Sequence, residues 1–215
     1  MDVEATRERA RRYLHMTAET VRRVGEECLD DVVSAAAILV GSLRSGGKLL
    51  ICGNGGSAAD AQHLATEFVS TFTIDNVRPS IPAIALTTDT SLLTAIANDF
   101  GAEGVFERQV ESLGRSGDVL IAISTSGNSV NVIRAAERAR AQGLRVIART
   151  GASGGDLAGL ADAAVLVPST VTAHIQESHL AVEQLLASLV EEALYPRSER
   201  ASGDAERARP TTEEV

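Results

Sequence analysis

The sequence predicts an α/β domain, a five-stranded parallel sheet covered by helices on both faces, preceded by a helical extension. Three observations carry this. Short apolar runs at 48–52, 81–86, 118–123, 144–148 and 163–167 alternate with longer segments of helical period. The runs are apolar throughout, as strands buried on both faces are. Glycine- and hydroxyl-rich turns follow two of them, at 53–57 and 124–129, and each leads into a helical run.

Residues 1–45 come first and are helical in pattern. Tyr13, Leu14, Val21, Val24, Cys28, Leu29, Val32 and Val33 recur at three- and four-residue steps, with a break expected between Gly25 and Asp31. Two helices cannot bury both apolar stripes alone, so they lie on the following domain or on a partner subunit. Ser45-Gly46-Gly47 ends this section and the domain proper runs over 46–195. The turn at 53–57 opens a helix to about Phe72. Thr87-Thr88-Asp89 caps a helix to Ala97 that Asn98-Asp99 ends, and a further helix spans about 103–113. The turn at 124–129 opens a helix over 129–142, closed by Gly143. A short helix follows Gly155, and a long one runs from about 172 to 194. Residues 196–215 are polar and without period, and are expected to be disordered.

Composition narrows the function. The chain has 215 residues, of which 3% are aromatic and none is Trp, so stacked bases are an unsuitable ligand. A net charge of −9 argues against a nucleic-acid or anionic membrane surface. Cys28 and Cys52 form neither a disulfide nor a zinc spacing. No apolar run reaches the ~18 residues of a membrane span, and Met1-Asp2-Val3-Glu4 lacks the start of a signal peptide. A cytoplasmic protein is expected.

Ser124-Thr125-Ser126-Gly127-Asn128-Ser129 presents hydroxyls and free N–H groups at a helix start, where the dipole is positive, and a phosphate ester suits it. One or two hydroxyls would suffice for a helix cap; four within six residues favour the phosphate. Gly53-Asn54-Gly55-Gly56-Ser57-Ala58 matches G-x-G-x-x-A, but no acidic residue ends the next strand at the distance a dinucleotide site needs, and the Lys of a P-loop is missing. No nucleotide cofactor is expected. The two turns, at the carboxyl ends of parallel strands, would face one crevice. His63 and Glu67 are four apart on one helix face, the spacing of a base with its orienting partner, of half a metal site, or of a plain surface pair. On the last helix Gln176, Leu180, Glu183 and Gln184 share a face, with His179 to one side. His15 and His174 form no constellation and read as structural.

Cys52-Gly-Asn-Gly-Gly-Ser57, Ala61-Gln-His63 with Glu67, Ala97-Asn98-Asp99-Phe-Gly101, Ser124-Thr-Ser-Gly-Asn-Ser129 and Ile175-Gln176-Glu177 together resemble the sugar-isomerase (SIS) domain proteins of the phosphoheptose isomerase group. The resemblance covers about residues 1–195. It implies a doubly wound sheet, a homotetramer with sites between subunits, and conversion of D-sedoheptulose 7-phosphate to D-glycero-D-manno-heptose 7-phosphate through an enediol. It implies Glu67 as a catalytic residue and Ser124, Thr125, Ser126 and Ser129 as the phosphate holders. Asn54, Gly55, Gly56, Asn98, Asp99 and Gln176 become substrate contacts, and His63, Glu67 and Gln176 ligands of a zinc ion. One position departs: the group's histidine eight residues after Gln176 is Gln184, which neither gives nor takes a proton near neutral pH. A branch of the group that binds the bacterial replication initiator without acting as an isomerase is resembled at Leu86-Thr-Thr-Asp-Thr90, Leu93–Asp99 and Ala193–Pro196. A non-catalytic scaffold that binds the replication initiator or senses a sugar phosphate is therefore the alternative function.

Overall fold

The computed structural model describes residues 1–196. The tail expected to be disordered lies, but for its first residue, outside the described residues. Helices α1 (Val3–Glu27) and α2 (Leu29–Arg44) lead into β1 (Leu49–Gly53), α3 (Gly56–Val69), β2 (Ala83–Ala85), α4 (Thr90–Phe100) and α5 (Glu107–Leu113). Then come β3 (Val119–Ile123), α6 (Val130–Ala141), β4 (Arg145–Gly151), α7 (Gly155–Ala158), β5 (Ala163–Val167) and α8 (Thr172–Leu194). The strands form one sheet in the order β2-β1-β3-β4-β5, and all pairings are parallel. The doubly wound five-stranded architecture is thus present.

Side-chain alternation along each strand divides the core in two. Leu49, Ile51, Val119, Ile121, Ile123 and Ile147 face a layer with α2, α3 and α8. Leu50, Cys52, Leu120, Ala122, Val146 and Ala148 face the layer of α4, α5, α6 and α7. The chain winds from β1 to β2 in one direction and from β3 to β4 in the other, which puts α3 and α6 on opposite faces. The order reverses between β1 and β3, where Gly53 lies beside Ile123. The turns that follow these residues therefore emerge side by side at the switch point.

α1 and α2 break at Cys28, within the expected interval. α2 buries Val32, Ala35, Ala36 and Leu39 against the sheet layer. α1 buries only Thr20 and Val24. Its N-terminal half is held at one point: the Tyr13 hydroxyl donates to Glu177 at 2.5 Å and the Thr17 hydroxyl to the other Glu177 oxygen at 2.7 Å. His174 completes that cluster, 3.1 Å from Glu177, in keeping with its structural reading.

Some boundaries differ from expectation. The helix after β1 ends at Val69, short of Phe72, and the chain from there to β2 is tied down by a buried pair, Arg78 Nε to Glu191 at 2.7 Å. α4 continues through Asn98 and Asp99 to Phe100, because the residue that stops it is Gly101 at φ 84°. The segment near 103–113 is a 3₁₀ turn, Ala102–Gly104, and then α5. β4 runs three residues past Ala148, because Arg149, Thr150 and Gly151 continue the ladder with β5.

Candidate active site

At the end of β3 the serine turn has its own internal bonding. Ser124 Oγ is 2.9 Å from Ser129 Oγ, and Ser126 Oγ accepts the Asn128 N–H at 3.1 Å. Ser129 occupies the N-cap position of α6, yet its side chain makes no capping bond. The hydroxyls therefore do not satisfy the first N–H groups of α6, which have no partner within the helix. This favours the anion reading over the cap reading: hydroxyls and uncapped N–H groups share one place. Thr125, Ser126, Asn128, Ser153, Ser169 and Thr172 line a small polar cavity of about 280 Å³ beside the turn.

The turn is joined to the loop after β4. Thr125 O accepts the Gly151 N–H at 3.0 Å, Gly127 O accepts that of Leu157 at 3.0 Å, and Asn128 Oδ1 accepts that of Asp156 at 3.1 Å. Gly127, at φ 69°, comes so close to the loop that a Cβ there would lie 2.0 Å from Gly154 O. Only glycine permits this seam.

The 53–57 turn meets the serine turn through a reciprocal pair of amide bonds: Asn54 and Asn131, the latter in the first turn of α6, donate to each other at 2.9 Å. The two turns are thus adjacent. Asn131 was not among the expected contacts; only the β1–β3 register, which is a property of the fold, brings it opposite Asn54. Gly55, at φ 55°, turns the chain into α3. Gly56 lies under Gln176 from the start of α8, with no room for a side chain between them.

Further along α3, His63 Nε2 lies 3.1 Å from Glu67 Oε1 and 3.2 Å from Gln184 Nε2. The other ring nitrogen, Nδ1, lies 2.6 Å from Glu183 Oε1. Glu183 is fully buried and its second oxygen meets Arg149 Nη1 at 3.2 Å. Arg149 shares the sheet face of Ile147, is itself fully buried, and also donates to the backbone oxygen of His179. The Glu183 carboxylate raises the pKa of His63, with Glu67 and Asp60 adding to it. Burial and the nearby Glu183 charge push the Asp60 carboxyl up to about 6. His179, to one side of this face as expected, is buried, pushed down to about 3, and donates no proton to the crevice.

Compared with known proteins, residues 12–151 match the family described as SIS domain. A phosphoheptose isomerase of Rhodospirillum rubrum is 50% identical over 184 residues, 86% of this chain and 96% of that protein. One from Roseiflexus sp. is 52% identical over 85% of this chain and 91% of its own length. The solved structure of phosphoheptose isomerase GmhA from Neisseria gonorrhoeae superposes with a TM-score of 0.82 at 41% identity, covering 87% of this chain and 99% of that one. The chain belongs to the SIS-domain phosphoheptose isomerase family. The Francisella tularensis phosphoheptose isomerase is a further structural match, at TM-score 0.83 and 35% identity, covering 87% of this chain and 98% of that one.

For a member of this family, the structure assembles most of the expected contacts and leaves a few apart. Ser124, Ser126 and Ser129 are grouped through their hydroxyls with Thr125 between them in sequence, Asn54 lies against Asn131, Gly56 against Gln176, and His63 against Glu67. Asn98 and Asp99 sit in the last turn of α4, where Asn98 donates to Asp99 at 2.8 Å. Asp99 there borders an apolar groove with Leu92, Phe100 and Leu113. Among the described residues, no hydrogen bond or ion pair links either of them to the turns or to His63.

Zinc takes imidazole, thiolate and carboxylate donors in a tetrahedron. Among the described residues, no three His, Cys, Asp or Glu side chains are grouped to hold a metal ion. His63 faces the Gln184 amide, whose nitrogen points at the Nε2 that a metal would take as donor. The donor set present does not fit a zinc centre.

Among the described residues, no helix is long and apolar enough to cross a membrane.

Proposed function

We propose that the protein is a ketose–aldose isomerase that interconverts D-sedoheptulose 7-phosphate and D-glycero-D-manno-heptose 7-phosphate. One observation carries this reading. A hydroxyl-rich, uncapped start of α6 and a His63–Glu67 pair on α3 lie on the two helices that leave the sheet's switch point, in a chain half identical to phosphoheptose isomerases.

The serine turn anchors the phosphate through hydroxyls and N–H groups, which favours its charge and fixes one end of the sugar. The carbonyl end then lies toward α3. Glu67 takes a proton from C1 of the ketose while the C2 carbonyl oxygen gains one, which gives the enediol. Return of a proton to C2 and loss of the O1 proton gives the aldose. The amides of Asn54, Gln176 and Gln184 hydrogen-bond sugar oxygens and hold the carbon chain in place. No step uses zinc, in keeping with the donor set.

The assembly belongs to the same proposal. Leu14 and Met16 stay exposed on a helix that touches its own domain at few points, which supports packing of α1 against other subunits in a homotetramer. Gln184 keeps one alternative open, a non-catalytic scaffold for the replication initiator.

The test is to incubate purified protein with sedoheptulose 7-phosphate in deuterated water and follow products by NMR. Aldose product with solvent deuterium at C2 is expected. No turnover, with and without added zinc, would overturn the isomerase; micromolar binding of the initiator would then support the scaffold.

A further inference from the structure

We propose that Glu183, held by Arg149, is a positioning residue that fixes the ring and tautomer of His63, so that an internal carboxylate orients this histidine where no metal does. The inference rests on the isomerase reading for its kinetic consequence and on geometry alone for its structural one.

The Arg149–Glu183 pair is the reason to look. Both side chains have no exposed surface. Arg149 follows the apolar Val146, Ile147 and Ala148 on a central strand. Taking two charges out of water is costly, and well-packed apolar residues at such places are often as stabilising or more so. Stability alone is therefore a weak reason for the pair. What it does is hold a carboxylate still: Arg149 is anchored on the His179 backbone oxygen and on Glu183 Oε2, which leaves Oε1 aimed at His63 Nδ1.

Two carboxylates accept from the ring, Glu183 at Nδ1 (2.6 Å) and Glu67 at Nε2 (3.1 Å); the imidazolium donates to both, and in the neutral ring the closer Glu183 keeps the proton on Nδ1. Nε2 is then the nitrogen presented to Glu67 and Gln184, on the crevice side. Free histidine favours the opposite tautomer, with the proton on Nε2. Without Glu183 the neutral ring would switch tautomer and donate from Nε2 to Glu67, which ties up the carboxylate that the isomerase reading uses as base. Gln184 fits this picture, because its amide can steady Nε2 from the far side without competing for a proton.

Two variants test the proposal. Glu183→Gln removes the charge but leaves Arg149 buried and unpaired, and can fail to fold for that reason. The double variant Arg149→Leu/Glu183→Leu removes the whole pair and replaces it with apolar volume. For the double variant we expect an unchanged or raised Tm, a kcat lowered about 10–100-fold, as for loss of an orienting partner, and a KM within about 3-fold of the parent. Long-range ¹H–¹⁵N spectra of the His63 ring, assigned by loss of its signals in His63→Gln, report the tautomer directly. At a pH above the raised His63 pKa, where the ring is neutral, they should show the proton on Nδ1 in the parent and on Nε2 in the double variant. A double variant with parental kcat, or one whose His63 keeps the Nδ1 proton, overturns the proposal. If the parent turns over no sedoheptulose 7-phosphate, the isomerase reading fails and the spectra still decide whether Glu183 sets the tautomer.

Discussion

The Gln176 amide lies against Gly56 so closely that a Cβ on residue 56 would sit 2.3 Å from its Nε2. Gly56 is the first residue of α3, and alanine favours a helix more than glycine does. Gly56→Ala should therefore leave Tm unchanged or slightly raised while it pushes the amide out of the crevice. A displacement of this size can cost up to about 10²-fold in kcat/KM. Steady-state kinetics alongside a melting curve check this, and a variant with full activity would show that Gln176 does not touch the substrate.

Glu67→Gln keeps the shape of the side chain and its neighbourhood with His63 but removes the base. Loss of about 10²–10⁴-fold in kcat is expected, with Tm close to that of the parent. Retained solvent exchange at the reacting carbon would mean that another group takes the proton.

Gln184→His places an imidazole in roughly the place of the amide now 3.2 Å from His63 Nε2. The donor set then reaches two imidazoles and a carboxylate. Zinc affinity should rise, by at least about 10-fold in a competition titration with a chelating dye. Equal zinc affinity in parent and variant would show that position 184 does not point at the His63–Glu67 pair.

Asp60 gives stability a pH dependence of unusual sign. Its carboxyl is pushed up from 3.8 to about 6, by burial first and the Glu183 charge second. Between these values the unfolded chain has lost the proton while the folded one keeps it, so stability falls as pH rises through this window and is level above it. Asp60→Asn removes the fall. Its Tm should exceed the parent's by roughly 2–4 °C at pH 7.5 and by much less at pH 4.5. An equal difference at both pH values would rule out the carboxyl as its source.

The fold was largely legible because parallel strands covered on both faces read as unbroken apolar runs, and each was found within a few residues. The serine turn and the His63–Glu67 pair were legible because their parts are close in sequence. Arg149 and Glu183 were not. A charge just after the apolar run 144–148 looks like the exposed end of a strand, and only the β5 ladder, which extends β4 to Gly151, buries it. Glu183 stands 120 residues from His63, and no local pattern signals a contact of that span. Asn98 and Asp99 looked like a helix stop for the ordinary reason that Asn and Asp favour turns, while the stop is the left-handed Gly101.

The seam between Gly127 and Gly154 limits how this site can change over generations. Because the serine turn and the loop after β4 share backbone bonds and leave no space for a side chain at 127, neither can be reshaped without the other. The serine turn is thus the half of the site that tolerates reshaping least. The face of α8 that carries Gln176 and Gln184 shares no such backbone seam. Substitutions there can alter the shape of the site while the serine turn stays where it is.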